Sequence, residues 1–401
     1  MTEAVSLDRD CTWAFRRYQF LAFMMLGVVN PFLSRYLQSR GLNADQMGWV
    51  QSVQWLTAAA VPFLWGMLAD SVHDRRMPLA GAILGAAGIF TTLYLGHSFL
   101  ALLVLTVLFA IFFRGITPMG TGLIFAYAES RGRDYSRIRL FGTAGYVVSM
   151  LLMFVPLWVA GINAIFPCFL VFAAAALTGL WSLPRLAGTG RQRLDWGPLR
   201  LFGHRNFAVY LACAFVAQAA MATHYSFFTP YLHDLGVRDA NIVLFWCFGS
   251  VIEALMMTQT GRLIQRFGTK AILALGILGI ALRLSIYSAF PIIWVLFLAQ
   301  SLHALSFAAV HTSTVTFVNY AAPTKWRTSA QTIFEGLSIG LASAVGSGLG
   351  GMLTKATNYR VLFASASAVA ILALVAFAVL GRSVALTRTP AAAGLEAEAE
   401  E

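Results

Sequence analysis

The sequence predicts an all-α integral membrane protein with about twelve transmembrane helices, arranged as two pseudo-symmetric six-helix bundles. Three observations carry that prediction: long apolar blocks, a one-sided distribution of basic residues in the gaps between them, and an internal repeat. Of the 401 residues, 59% are hydrophobic and 11% are charged, whereas a soluble domain carries roughly 25% charged residues. A helix needs about 20 apolar residues to cross a bilayer, and the blocks here reach that length. They are continuously apolar, without the alternation that a membrane β-barrel strand requires.

Taken in order, the apolar blocks place spans at 17–38, 46–68, 77–95, 98–127, 138–159, 162–182, 206–232, 239–262, 270–289, 291–319, 328–353 and 358–380. Only Ala160-Gly161 separates the fifth block from the sixth, so these two must be antiparallel neighbours. The longest gap, 183–205, is basic and contains Pro184, Gly188 and Gly190. It reads as a cytoplasmic linker between an N-terminal bundle (1–182) and a C-terminal bundle (206–382). The Ala- and Glu-rich end, 383–401, has the composition of a disordered tail.

The positive-inside rule gives the orientation. With the N-terminus inside, the cytoplasmic gaps hold 21 of the 28 Lys and Arg residues; the outer gaps hold Arg40, Arg238, Lys355 and Arg360. Arg35, Arg114 and Arg283 fall within spans. A missed helix would scramble this alternation, so the charge split also supports the span count. Both termini are expected in the cytoplasm. The formal charge of +11 is thereby accounted for by the membrane. The basic residues form no stripe with stacking aromatics, and nucleic acid is excluded as a partner. The four cysteines, Cys11, Cys168, Cys213 and Cys247, have no metal-ligand spacing and read as small buried hydrophobes. No cleavable signal is evident in 1–16.

The repeat has a constant offset. Residues 36–42 (YLQSRGL) align with 231–237 (YLHDLGV), and 66–76 (GMLADSVHDRR) with 261–271 (GRLIQRFGTKA), both displaced by 195 positions. Six spans fall in each half. Gly66-Met67-Leu68-Ala69-Asp70 followed by Arg75 and Arg76 resembles the signature loop of the major facilitator superfamily, whose two halves are parallel repeats. In that resemblance Gly66 allows close helix approach, Asp70 sits by a helix N-terminus near the start of span eleven, and the arginines hold the loop at the cytoplasmic surface. The second copy retains Gly261 and Gly268 but has Gln265 in place of Asp70, which implies a weaker latch. Residues 134–142 (DYSRIRLFG) and 300–311 (QSLHALSFAAVH) resemble the bacterial branch that contains phenylpropionate permeases and is related to nucleoside:proton and lactose:proton symporters. An acidic residue that those proteins tend to carry three positions after the span-four proline is absent: Pro118 is followed by Met119, Gly120 and Thr121.

Charged groups deep in a bilayer cost about 2.5–3.5 kcal/mol on insertion scales, so they usually face a cavity or a partner. Glu253 lies in span eight, Arg283 in span nine, His303 and His311 in span ten. A carboxylate, an arginine and histidines on consecutive spans resemble the proton site of lactose-type symporters, with Arg283 tuning the proton affinity of Glu253 by its distance. A static Glu253–Arg283 pair and packing histidines are the bland alternatives. In the first half, Arg114 sits mid-span and suits an anionic substrate, or else pairs with Glu129 or a carbonyl. Asn30-Pro31 is expected to break span one and free backbone groups toward a cavity. Arg35 is expected to snorkel to the outer surface.

The resemblance implies a proton-coupled symporter importing a small organic solute by alternating access, an aromatic carboxylate such as a phenylpropionate being favoured. It also implies a bacterial inner membrane location. A proton-driven exporter of drugs or metabolites is the alternative; exporters of the superfamily carry G-x-x-x-G-P in span five, and here Pro156 lies far from the glycines. No H-E-x-x-H, no G-x-S-x-G in context and no P-loop is present, so an enzyme is not expected. No cofactor or metal is expected either, and a monomer is, because the cavity lies within one chain.

Overall fold

The computed structural model describes residues 10–185, 197–323 and 326–381, and within them every regular element is helical. Ten runs are long and apolar enough to cross a membrane. Two of these, Arg137–Trp181 with 45 residues and Asp239–Ala289 with 51, are each long enough for two passes, which gives twelve spans. The first six are α1 (Thr12–Ser39), α2 (Ala44–Ser71), α3 (Arg76–Leu93), α4 (Phe99–Arg131), α5 (Tyr135–Ala160) and α6 (Ile165–Trp181). The second six are α7 (Arg205–Asp234), α8 (239–267), α9 (269–289), α10 (Ile293–Ala321), α11 (Ser329–Ala356) and α12 (Tyr359–Leu380).

Glycine makes both tight reversals. Gly161, with φ of +62°, precedes a single 3₁₀ turn between α5 and α6. Gly268, with φ 82° and ψ 161°, is the whole junction between α8 and α9. Side chains with a Cβ rarely adopt these conformations. Three further helix starts carry side-chain caps. Asn43 and Gln46 cap each other's backbone N–H before α2, at 3.0 and 3.1 Å, which is a capping box. Ser98 and Asn358 accept from the N–H groups of Ala101 and Val361 at the starts of α4 and α12.

By packing, the described residues form two units. The first holds α1, α2 from Ala60 onward, α3 to α6, and Arg238–Leu244 at the start of α8. The second holds Asn43–Ala59, α7, α8 from Phe245 onward, and α9 to α12. Packing units and sequence halves therefore differ at the first turns of α2 and α8. The same skeleton recurs in each. α1 packs on α5 and α6, and α7 packs on α11 and α12. A Cβ at Gly145 would lie 2.0 Å from the Phe20 carbonyl oxygen, and one at Gly346 would lie 2.0 Å from that of Ala219. The Tyr36 hydroxyl donates to the Leu93 carbonyl at 2.8 Å, and the Tyr231 hydroxyl to that of Tyr287 at 3.0 Å. Tyr36 and Tyr231 are the first residues of the repeated YL segment.

Three expectations are corrected. α1 runs unbroken from Thr12 to Ser39 with Pro31 inside it. The ring removes one helical hydrogen bond, and packing on both sides carries the helix through. Arg35 does not snorkel. It is buried and its Nε donates to Asp239 at 2.9 Å, because a carboxylate in reach is a better partner than headgroups further off. No close approach occurs at Gly66 or Gly261, where a Cβ would meet nothing within 4 Å; the tight contacts of α2 lie instead at Gly48. Within the linker, Gly197–Gly203 forms a 3₁₀ segment. The linker's middle part and the tail 383–401 lie outside the described residues.

Candidate functional site

Arg283 on α9 is the largest fully buried side chain among the described residues, at 0% exposure. A guanidinium carries five N–H donors and no acceptor, and all five are used. Nε donates to the Tyr287 hydroxyl at 2.6 Å. Nη1 reaches His303 Nδ1 at 2.7 Å and Ser306 Oγ at 3.3 Å. Nη2 reaches His224 Nε2 at 2.7 Å and Gln300 Oε1 at 2.7 Å. Three helices supply these acceptors. Tyr287 stands one turn beyond Arg283 on α9, and His224 comes from α7. Gln300, His303 and Ser306 come from α10, where a 3₁₀ turn (Gln300–Leu302) leads into a π-helical stretch, Ala304–Ala309. Such π segments are rare and occur often at functional sites; here the change of winding brings residues three apart onto one guanidinium.

Glu253 on α8 meets this cluster through His303. Its Oε2 lies 3.0 Å from His303 Nε2. Arg283 always donates, so His303 Nδ1 must accept, and the ring proton sits on Nε2 and points at the carboxylate. The direct Glu253–Arg283 pair expected from the sequence is therefore replaced by a chain, carboxylate to imidazole to guanidinium. The same reasoning makes His224 Nε2 an acceptor. Gln300 Nε2 also donates to the Tyr287 hydroxyl, at 2.7 Å. His311 stacks on Phe307 at 5.4 Å, and Phe307 stacks on His303 at 6.1 Å.

Sequence reasoning missed His224, Tyr287 and Gln300. His224 was the most accessible of the three: it is a histidine inside the apolar stretch of span seven, the same signal that picked out His303. Tyr287 and Gln300 are polar residues of common membrane types and carry no mark until Arg283 is placed beside them.

In the first unit, Arg114 is half-buried on α4. Glu129 lies 15 positions along the same helix, about 22 Å away at 1.5 Å per residue, and is exposed, so pairing between them is ruled out. Asn30 is exposed within an otherwise buried stretch of α1. The signature loop is held by ion pairs: Arg75 with Asp70, and Arg76 with Asp74 at 2.8 Å. Arg76 also donates to the Leu183 carbonyl at 2.9 Å and lies 5.5 Å over the Trp181 ring, which ties the start of α3 to the end of α6. Hydrogen bonds from Arg76 hold the Asp74 carboxyl below the usual carboxylate range. Among the described residues no group of His, Cys, Asp and Glu is placed to hold a metal ion.

Residues 12–365 match the model of the MFS_1 like family. The chain is 29% identical over 342 residues to the maltose permease of Geobacillus stearothermophilus, covering 84% of each chain. It is 23% identical over 308 residues to the "Probable 3-phenylpropionic acid transporter" of Escherichia coli (strain K12), covering 75% of this chain and 80% of that one. Its fold is similar to the crystal structure of the nucleoside transporter NupG, with a TM-score of 0.83 at 16% identity, over 93% of this chain and 100% of that one. The chain thus belongs to the MFS_1 like family of the major facilitator superfamily, and is a multi-pass membrane protein and secondary transporter, not an enzyme.

Proposed function

We propose that the protein is a proton-coupled symporter that imports a small organic solute across a bacterial inner membrane, with both termini cytoplasmic and with two six-helix halves joined through 183–205. The observation that supports this most is the chain Glu253–His303–Arg283. Glu253 is the carboxylate of the cluster and Arg283 its obligatory cation. With both charged, the cluster is neutral. A proton taken up by Glu253 leaves Arg283 as an uncompensated buried charge, and a substrate carboxylate restores neutrality. Proton and anionic solute then favour each other's binding, which is what symport requires. While Arg283 donates to Nδ1, His303 cannot hold a second ring proton, so Glu253 is the acceptor and His303 the group that orients it. Movement of Arg283 away from His303 would free that nitrogen and alter the proton affinity of the pair. His311, one aromatic ring removed, is a secondary candidate.

A small carboxylate bearing a ring, such as a phenylpropionate, is the solute class this reading favours. Arg114 and Asn30 are its proposed contacts in the first unit. The loop Gly66, Asp70, Arg75 and Arg76, with Gly261 and Gly268 in the second copy, is the proposed conformational latch. The working unit is proposed to be a monomer. Reconstituted protein with radiolabelled 3-phenylpropionate as first probe provides the test. Glu253→Gln is expected to lose accumulation driven by an imposed pH difference while retaining exchange of substrate across the membrane, because the amide mimics the protonated acid. If that variant still accumulates solute uphill, Glu253 does not carry the proton.

A further inference from the structure

The first turns of α2 belong to the same packing unit as the Arg283 cluster, and they carry polar groups that this cluster does not use. Gln51, Gln54 and Trp55 stand at i, i+3 and i+4 and so share a helix face. Gln51 is 6% exposed and Gln54 is 5% exposed, yet neither amide has a hydrogen-bond partner among the described residues. Neither amide is sealed off without a partner, so the little surface these residues keep leaves the amide ends open to a ligand. Two other polar groups of the same helix are satisfied: the Ser52 hydroxyl donates to the Ala344 carbonyl at 2.6 Å, and Lys355 pairs with Asp45 at 3.2 Å. α2 cannot rotate to find partners for the amides. A Cβ at Gly48 would lie 2.8 Å from Gly351 Cα, so backbone touches backbone there.

Beside the amides is aromatic surface. The half-buried Trp55 lies 6.3 Å from the half-buried Tyr225, at 54°. Tyr225 in turn stacks on Trp246 at 6.2 Å and 24°, and its ring is 6.1 Å from that of His303. Aromatic faces take the apolar face of a ring. Each amide offers two donors and an acceptor. A bare phenyl ring satisfies neither kind of group, and a carboxylate satisfies only the donors. A hydroxyl both donates and accepts.

We propose that Gln51, Gln54, Trp55 and Tyr225 form a ring-recognition subsite, and that the ring it takes is edged with hydroxyl groups. This rests on the reading of the protein as a small-solute transporter and narrows it. A ring on Tyr225 abuts His303, the partner of Glu253, so substrate occupancy changes water access at the proton site directly.

The test uses the purified full chain and calorimetric binding of 3-phenylpropionate, 3-(2,3-dihydroxyphenyl)propionate and methyl α-glucoside. The dihydroxy compound is expected to bind at least about tenfold more tightly than the bare ring. Gln51→Leu and Gln54→Leu should erase that advantage, and Trp55→Ala should weaken both ligands. Methyl α-glucoside binding that depends on the same two amides supports the subsite and identifies a saccharide ring as its occupant. Equal affinity for the two propionates, or an advantage that survives in both leucine variants, overturns the proposal. A ligand-free measurement is independent of the panel: the leucine variants should melt no lower than the parent protein, since no hydrogen bond is removed. A lower melting temperature in both would make the amides structural and defeat the proposal. Glu253→Gln should keep the discrimination between ligands, so failure of proton coupling and failure of ring recognition are separable.

Discussion

Replacing Arg283 with lysine keeps the charge and should still break the cluster. The guanidinium makes five hydrogen bonds, to Tyr287, His303, Ser306, His224 and Gln300, and it makes them from a rigid planar fork. An ammonium has three donors radiating from one atom, so at least two acceptors lose their partner. Each hydrogen bond to a charged group contributes about 1.5–3 kcal/mol, which puts the loss at about 3–6 kcal/mol, before any gain from repacking around the shorter head group. Equilibrium unfolding by denaturant in detergent, at fixed temperature, reads this as a shift in midpoint with an unchanged slope. A heating scan is less suited, because its midpoint depends on scan rate when unfolding is irreversible. In reconstituted vesicles, uptake driven by an imposed pH difference should fall as well, because the contact from Arg283 to His303 Nδ1 is disturbed. A change below about 1 kcal/mol in Arg283→Lys, with normal uptake, would show that the five contacts are not what holds α7, α9 and α10 together.

Four further outcomes follow from the packing and the charges. Gly145→Ala and Gly346→Ala should each destabilise by about 1–3 kcal/mol or more, since the new methyl meets a carbonyl oxygen at 2.0 Å in a tightly packed helix crossing; equal melting to the parent would refute the crossing. Gly66→Ala, where a Cβ meets open space, should be neutral or stabilise by up to about 1 kcal/mol through helix propensity, and a loss of uptake at unchanged stability would assign Gly66 to the moving parts. The buried Arg35–Asp239 pair predicts that Asp239→Asn alone destabilises, while Arg35→Met combined with Asp239→Leu largely restores stability; an unaltered single variant would remove the pair from the fold. Asp10, before α1, is held well below the ordinary carboxylate range by hydrogen bonds from Thr12, with Tyr127 and Arg133 adding to the effect. Its folded value is depressed, so its contribution is complete above the unfolded value of about 3.9 and is lost as pH falls toward the folded one. Protection of the amides at the start of α1, taken as exchange relative to the intrinsic rate at each pH, should therefore fall below that pH in the parent and be low at every pH in Asp10→Ala, and a parent whose protection does not change with pH would contradict it.

The spans were legible because membrane insertion imposes a local rule: each helix must be apolar along its own length. Even the junction at Gly268 was visible as a gap between two blocks. What the sequence did not show was who meets whom. Arg35 looked like an arginine reaching for headgroups because Asp239 is about two hundred positions away. Pro31 looked like a break because the packing that sustains α1 comes from α5 and α6. The Glu253, Arg283 and His303 set was found by its cost in a bilayer, whereas Tyr287 and Gln300 cost little and became visible only as acceptors of Arg283. Gln51 and Gln54 were passed over for the same reason.

The repeat explains why the chemistry is one-sided. Tyr36 bonds to Leu93 and Tyr231 to Tyr287 in matching positions of the two units, so α3 and α9 occupy corresponding places. One turn before Tyr287 stands Arg283; one turn before Leu93 stands Ile89. The space around the buried end of α3 is filled by aromatic rings, with Phe90 at 5.0 Å from Phe109 and 4.4 Å from Phe169, and Phe109 stacked at 4.8 Å from Phe113. Phe109 lies on α4, the counterpart of α10, which bears His303. A duplicated scaffold thus carries a dry aromatic core in one unit and a fully satisfied polar cluster in the other. The aromatic core tolerates only small, volume-conserving change, whereas the polar cluster contains a carboxylate and two imidazoles, groups that can take up a proton. On the proposed reading, coupling to protonation originates in the second unit, and Arg114 and Asn30 are the proposed solute contacts of the first.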